Sequence, residues 1–347
     1  MNPILFFPNC EPTIHFRRAE TLTTNLSAKQ IRNHDKKESP RHLKEGSWKF
    51  DFKHNGKLYL LFIPVAAYFL IFHYAPMFGL LMAFQKFRPS RGIFGSEWIW
   101  FQNFSELFTG DTFLKVMRNT TAMAFLNLTV GFVAPVILAM LISQLRFKKY
   151  TRTVQTISYM PFFVSAVVVT TLASEFLSSA GALTIVLSWF GFDKQNWIAN
   201  PNIPVFWLIN TFIEIWQGAG WGSIIYIAAI ANVNKDFHEA AAMDGAGRWQ
   251  RLWKITFPTI LPLIIVMLTL RIGLVFRQGF DKVLLLYMPL TYDTADCLYT
   301  YTFRMAFGQT VNYGVATASG LFQSIIGTTL LIVSNKLSRK FSSSTLI

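Results

Sequence analysis

Six long apolar segments, separated by polar stretches, dominate the hydrophobic pattern of this chain. They cover residues 58–84, 120–143, 157–176, 204–231, 258–276 and 313–337. A helix rises about 1.5 Å per residue and the hydrocarbon core of a bilayer is about 30 Å thick, so a span needs about 20 residues. All six segments can reach across, and a further apolar run at 180–190 indicates an interfacial helix after the third. The pattern predicts an all-α, polytopic membrane protein with six transmembrane helices.

The distribution of Lys and Arg predicts the orientation of these helices. Segments on the same side as the N-terminus contain 22 Lys and Arg, and the opposite segments contain nine. Without the long N-terminal tail the balance is 11 against nine, but those 11 residues lie in much shorter loops. Because positive residues favour the cytoplasmic side, we expect both termini to be cytoplasmic.

Composition supports a membrane location. Hydrophobic residues make up 52% of the chain and charged residues 14%, against about 25% charged in soluble domains. The net charge of +14 lies outside the apolar segments, so membrane topology explains it better than nucleic-acid binding does. We interpret residues 1–57 as a polar cytoplasmic tail, 58–340 as the transmembrane domain and 341–347 as a short cytoplasmic tail. Cys10 and Cys297 fall on opposite sides of the predicted membrane, so no disulfide is expected.

Residues 236–258 form a polar stretch between two apolar segments. Asp236 is the predicted N-cap of a first helical piece, which continues through an alanine run at 240–242. Gly245 and Gly247 predict a hinge after it. A second piece then carries an apolar stripe that includes Trp249 and Trp253. A membrane-flanked element of this kind is suited to being held by another protein.

The spacing within this stretch resembles the EAA loop of bacterial ABC importer permeases. Its elements are Glu239-Ala240-Ala241, three residues, Gly245, nine residues, Ile255, one residue, then Phe257-Pro258. The family has Leu before the proline, where this chain has the conservative Phe257. The likeness runs from about residue 58 to the C-terminus. It is closest to the oligosaccharide branch of the carbohydrate-uptake permeases, through 74–79, 98–108 and 270–273.

The resemblance implies a type I ABC importer permease (MetI-like) fold and a non-enzymatic role. In such proteins the EAA loop, here residues 236–258, docks into a cytoplasmic ATPase. It implies coupling roles for Glu239, Ala240, Ala241, Asp244, Gly245, Ile255 and Pro258. It also implies a second homologous permease subunit, two ATPase subunits that bind ATP and Mg²⁺, an extracytoplasmic sugar-binding protein and a bacterial inner-membrane location.

Other motifs are incomplete. His238-Glu239 would need a second His at position 242 to suggest a zinc protease, and that residue is Ala242. The spacing of Gly218, Gly220 and Gly222 does not fit a dinucleotide loop, and it favours close helix packing. The chain contains no GxxxxGK[ST] sequence, so we expect no cofactor on this chain and ATP on a partner.

Polar residues inside the predicted spans are the candidates for a translocation path, because an unpaired charge there costs at least about 2.5 kcal/mol. Glu214 and Arg271 lie at depths that agree within about 5 Å, so they could pair with each other or line the path. The path candidates are Asn210, Glu214, Gln217, Arg271, Arg277, Asn312 and Gln323. Hydrogen bonding between helices is the alternative reading of the uncharged members.

The substrate itself is less constrained. Sugars stack on aromatic rings, although membrane-interface anchoring explains each candidate ring equally well. The candidates are Trp207, Trp216, Trp221, Tyr287 and Tyr292. Residues 277–304 carry three cationic and three acidic side chains, which is compatible with an acidic, uronate-containing oligosaccharide but does not require one. The alternative function is a secondary, ion-coupled transporter, for which Glu214 would be the titratable carboxylate.

Overall fold

The computed structural model describes residues 48–202, 204–277 and 280–341. Most of the predicted N-terminal tail and the C-terminal residues from 342 lie outside the described residues. The first described helix begins at Trp48, nine residues before the predicted end of the tail, and bends at Asn55. The last helix continues to Phe341.

The described chain divides into two units at residue 75. The first unit contains helix α1, Trp48–Phe69, and the π-helical turn Leu70–Tyr74. A 3₁₀ helix, Ala75–Phe84, follows, and the rest of the chain belongs to the second unit.

The second unit is almost entirely helical. Its one described sheet pairs β1, Gln85–Lys86, antiparallel with β2, Glu97–Trp98. The helices in its first half are α2 Gly92–Gly95, α3 Gln102–Thr109, α4 Phe113–Leu126, α5 Phe132–Ser143, α6 Lys148–Tyr159, α7 Ala166–Phe176 and α8 Ala182–Trp189. Those in its second half are α9 Val205–Ala231, α10 Lys235–Met243, α11 Arg248–Arg251, α12 Phe257–Leu274, α13 Phe280–Leu286, α14 Tyr292–Ala295, α15 Leu298–Phe307 and α16 Tyr313–Phe341. Short π and 3₁₀ turns connect several of them: Asn127–Gly131, Met160–Phe163, Leu252–Thr256, Val275–Arg277 and Pro289–Thr291.

Within the described residues, four helical runs are long and apolar enough to cross a membrane. They are Asn55–Phe84, Phe113–Ser143, Arg248–Leu274 and Tyr313–Arg339. The bent pair Lys148–Phe163 and Ala166–Phe176 makes a fifth if it is counted as one span. Helix α9 occupies the fourth predicted segment and is 27 residues long, but it is not one of these spans, and it carries the polar residues Asn210, Glu214 and Gln217. The six predicted segments are therefore helical, and the third and fourth depart from simple apolar spans.

The third predicted segment is broken. Its two helical parts, α6 with the 3₁₀ turn and α7, meet at an angle of 97°. Ser165 begins α7 as its N-cap, accepting a hydrogen bond from the backbone N–H of Val168. At the break, the backbone carbonyl of Val164 accepts a hydrogen bond of 2.7 Å from Gln217 Nε2 on α9. Backbone groups in a membrane must be satisfied within the protein, so Gln217 is part of what permits the break.

Helix α9 passes through both of the larger apolar clusters of the second unit. One cluster surrounds Phe206 and Ile213 and includes Val283 and Leu286 of α13. The other surrounds Tyr226 and includes residues of α5 and α12. This central position places the polar residues of α9 between the packed helices.

Candidate functional site

The EAA loop contains two helical pieces joined at a tight turn. Helix α10 ends at Met243, and Gly245 has a positive φ of 79°. Ala246 N–H donates to Ala241 O and Gly245 N–H donates to Ala242 O, which is the Schellman arrangement. The predicted hinge at Gly245 is therefore confirmed as a left-handed helix terminus. The predicted N-cap at Asp236 is wrong, because the side chain of Asn234 caps the helix by accepting from the Asp236 N–H.

Hydrogen bonds fasten the two pieces to each other and to the spans. Arg251 Nη1 donates to the carbonyl oxygen of His238 at 3.2 Å. The ring of His238 lies 3.5 Å from the Thr256 hydroxyl. Arg248 Nη2 donates to the carbonyl oxygen of Gln144, at the end of α5. The loop is therefore held in place by hydrogen bonds between its own residues and by one to the end of α5.

The surface of the loop is open. A cleft of about 540 Å³ is lined by Ala240, Ala241, Asp244, Ile255 and Pro258, together with Phe237, Lys254 and Thr259. A neighbouring cleft of about 340 Å³ includes Gly245 and Gln250. Glu239 is exposed and lies outside the lining of both clefts. Six of the seven predicted coupling residues therefore line a pair of adjoining clefts, and a protruding side chain could enter either one.

Three of the predicted path residues form a stripe along α9. Asn210, Glu214 and Gln217 are four and three residues apart, so they share one face of the helix. Asn210 is buried, and its Oδ1 has no hydrogen-bond partner among the described residues. It lines a small cavity of about 30 Å³ with Asn127, which is room for about one water molecule. Gln217 is buried against the break after Val164.

The structure does not contain the ion pair considered between Glu214 and Arg271. Glu214 Oε1 instead accepts from Lys282 Nζ at 2.8 Å. Arg271 donates through Nε and Nη2 to Asn127 Oδ1, at 3.0 and 2.6 Å. The two residues do line the same cavity, of about 250 Å³. Each group pairs instead with a residue of another segment, Glu214 with Lys282 and Arg271 with Asn127.

Asn312 lies at the start of α16, and its role in a path stays a prediction. Its Oδ1 accepts from the Val315 N–H at the start of α16, and its Nδ2 donates to Glu106 at 3.3 Å. It acts as a helix cap, the kind of role that Asn commonly takes at helix starts. The side chain of Arg277 lies outside the described residues, so its role stays a prediction.

Two of the aromatic rings singled out for sugar stacking, Trp207 and Trp221, make contacts within the protein. Trp207 Nε1 donates to the carbonyl of Thr294 at 2.7 Å. Trp221 stacks on Phe162, with ring centroids 4.6 Å apart and planes 4° from parallel. These contacts favour packing roles for both tryptophans.

Sequence reasoning missed Asn127 and Lys282. Asn127 is a polar residue inside the second predicted span, and the rule that selected Glu214 would have selected it too. Lys282 was placed in an outward loop, but α13 packs back against the other helices by burying Val283 and Leu286. The apolar run directly after Lys282 was the available signal for this return.

Comparisons with known proteins agree with the fold. Residues 131–342 match the family model described as binding-protein-dependent transport system inner membrane component. A polygalacturonan/rhamnogalacturonan transport system permease protein of Bacillus subtilis (strain 168) is 38% identical over 287 residues, which cover 82% of this chain and 88% of the relative.

Solved structures give the same result. A chain of a bacterial ABC transporter involved in the import of the acidic polysaccharide alginate has 39% sequence identity and a TM-score of 0.78, covering 85% of this chain and 99% of that one. A second structure, of a bacterial alginate ABC transporter in complex with an alginate pentasaccharide-bound periplasmic protein, has 38% identity and the same TM-score, with 86% and 99% coverage. With its helical fold, its EAA loop and these matches, the chain belongs to the family of binding-protein-dependent transport system inner membrane components, the permease subunits of ABC transporters.

Proposed function

We propose that this permease carries acidic, uronate-containing oligosaccharides into the cell, powered by ATP hydrolysis on separate subunits. The observation that carries the proposal is the 38–39% identity, over more than four fifths of the chain, to a polygalacturonan/rhamnogalacturonan permease protein and to a chain of an ABC transporter involved in alginate import. Arg271, a cation that lines a cavity and has no carboxylate of the described residues within 4 Å, supports an anionic substrate. Family membership decides against the ion-coupled alternative.

The proposed assembly contains a second homologous permease, two ATPase subunits and an extracytoplasmic binding protein. ATP and Mg²⁺ would be held by the ATPases. The open clefts of the EAA loop are the surface that an ATPase would grip, and the side chain of Met243 beside them is 89% exposed. The periplasmic protein seen with the alginate transporter supports the outer partner.

The location we propose is the bacterial inner membrane, with both termini in the cytoplasm. The excess of Lys and Arg on the N-terminal side supports this orientation. It puts the EAA loop on the side where ATP is available.

The continuity of the fifth span suggests how ATP hydrolysis would act on the substrate path. Residues Arg248–Leu274 form one helical run that begins inside the EAA loop. Arg271 lies about 35 Å along this run from Arg248. A displacement of the loop by the ATPases would therefore be passed along the helix to the cavity that contains Arg271 and Glu214.

Affinity purification of the tagged chain from its native membranes tests this assembly. We expect a second permease and an ATPase to co-purify, and we expect ATP hydrolysis to rise when a binding protein loaded with an acidic oligosaccharide is added. Purification of the chain alone, or hydrolysis that is insensitive to the loaded binding protein, would contradict the proposal.

A further inference from the structure

Glu214 lies between two cavities that contain different cations. The first, of about 250 Å³, contains Arg271, and the rest of its wall is Gly131, Pro135, Ile215, Gly218, Ala219 and Gly222. The second, of about 450 Å³, contains Lys282, and the rest of its wall is Ala166, Gln217, Phe280, Asp281 and Tyr299. Glu214 lines both cavities, so its carboxylate is placed to form an ion pair with either Arg271 or Lys282.

The charge of Arg271 is not neutralised by a carboxylate. Its described hydrogen bonds both go to the amide oxygen of Asn127. No carboxylate of the described residues lies within 4 Å of it. A guanidinium has five N–H donors, and its fork matches the two oxygens of a carboxylate. Arg271 therefore keeps donors and a positive charge available to an anion.

Lys282 keeps the carboxylate of Glu214 from pairing with Arg271. The two form an ion pair at 2.8 Å in which the side chains are only 12% and 19% exposed. An ion pair that is largely removed from water is more persistent than a surface pair, since losing one partner leaves an uncompensated charge. Asp281 also lines the cavity of Lys282, but it is exposed and does not pair with it within 4 Å.

The wall of the first cavity suits a sugar ring. Gly218 has open space where a Cβ would be, and Gly131, Ala219 and Gly222 add little bulk. Glycine lets a ligand approach the helix backbone closely. In the adjoining cavity Phe280 and Tyr299 lie with ring centroids 4.2 Å apart, which gives an aromatic surface for the apolar face of a neighbouring sugar.

We infer that Arg271 binds the carboxylate of a uronate residue, and that Lys282 is a positioning residue that keeps Glu214 from occupying the same place. This inference rests on the proposed function, since it needs an acidic substrate. In this account, selectivity for acidic sugars depends on the ion pair between Lys282 and Glu214. Because Glu214 is paired with Lys282, Arg271 remains available to the carboxylate of the substrate. Loss of Lys282 would release Glu214 towards Arg271.

A purely structural ion pair gives a different pattern of results. If Lys282 and Glu214 only hold α13 against α9, removal of either one lowers uptake of all substrates to a similar extent. Under our inference the two removals differ, because only loss of Lys282 frees a competing carboxylate. The ratio of acidic to neutral uptake separates these accounts.

The experiment uses the complete transporter in proteoliposomes, with its binding protein saturated in turn by trigalacturonate and by the carboxyl-reduced trisaccharide. The reduced sugar keeps the stereochemistry of the first and lacks its charge. The variants are Arg271→Gln, Lys282→Met, Glu214→Gln and the double variant of Arg271→Gln with Lys282→Met. Lys115→Met is the matched control, since Lys115 forms an exposed ion pair with Asp293 at the same distance of 2.8 Å.

We expect Arg271→Gln and Lys282→Met each to lower the acidic-to-neutral ratio by about tenfold, the scale of a lost charged hydrogen bond. The double variant should have the same ratio as Arg271→Gln alone, because the released Glu214 then has no arginine to pair with. Glu214→Gln should keep the wild-type ratio or raise it, which provides a test if Lys282→Met fails to assemble. Lys115→Met and Lys282→Arg should retain the ratio.

Equal losses of acidic and neutral uptake in Lys282→Met, or a lowered ratio in Glu214→Gln, would overturn the inference while leaving the proposed function intact. Failure of the wild-type transporter to carry trigalacturonate would overturn both.

Discussion

Gly245 is the residue at which the geometry of the EAA loop depends most on side-chain identity. Its φ of 79° is in the left-handed region, and a Cβ added there would meet no atom within 4 Å. The requirement for glycine is therefore one of backbone conformation and not of space. An L-residue in this region is less stable by about 1–2 kcal/mol, and Asn tolerates it better than β-branched residues do.

Replacement of Gly245 by Val is expected to impair uptake strongly, because the turn between the two helical pieces would open. Gly245→Asn is the matched control and should retain most of the activity. Uptake of labelled oligosaccharide, normalised to the amount of assembled complex, measures both. Equal activity of the two variants would show that the left-handed turn is not needed for coupling.

At the scale of elements, α6 and α9 cross at Gly220, where the contact is closer than at any other described glycine. A Cβ on Gly220 would lie 1.8 Å from the carbonyl oxygen of Ser158, a backbone atom that cannot move aside alone. Gly218, two residues earlier on the same helix, has nothing within 4 Å. The two glycines therefore serve different purposes, one for packing and one for the cavity beside Glu214.

Gly220→Ala is expected to lower the thermal stability and the yield of the complex, since α6 and α9 would have to separate. Gly218→Ala should leave stability unchanged or slightly raised, because Ala favours helix and the site is open. Thermal unfolding in detergent checks both variants. A Gly220→Ala protein as stable as Gly218→Ala would contradict the packing described for α6.

Some of these structural elements could be predicted from the sequence and others could not. The turn at Gly245 was predictable because glycine after an alanine-rich helix is a strong local signal. The break in the third span was not, because proline alone does not locate it: Pro135 and Pro262 lie inside continuous helices, whereas Pro161 lies beside the break. What distinguishes Pro161 is tertiary, namely the hydrogen bond from Gln217 to Val164. The partners of Glu214 and Arg271 were likewise decided by helices distant in sequence.

At the scale of the whole molecule, the orientation in the membrane decides which face meets the ATPases. Lys149, Met243 and Lys194 are exposed and suit cysteine labelling. Cys297 should give little background, because burial raises the pKa of its thiol and the thiolate is the reactive form. Cys10 lies outside the described residues and is best replaced by Ser.

Cysteines at positions 149 and 243 are expected to be protected from an impermeant thiol reagent in intact cells, whereas one at 194 should react. Permeabilised cells provide the control, since all three should then be labelled. Reaction at position 243 in intact cells would reverse the orientation and place the EAA loop outside.

The most direct test of the chain as an ABC importer permease for acidic oligosaccharides is to identify the energy source that drives uptake. The measurement is accumulation of labelled trigalacturonate in proteoliposomes that contain the complete complex, with ATP enclosed and loaded binding protein outside. We expect accumulation to require enclosed ATP, to stop when ADP replaces it, and to be unaffected by a protonophore. Accumulation driven by a pH gradient without ATP would contradict the account.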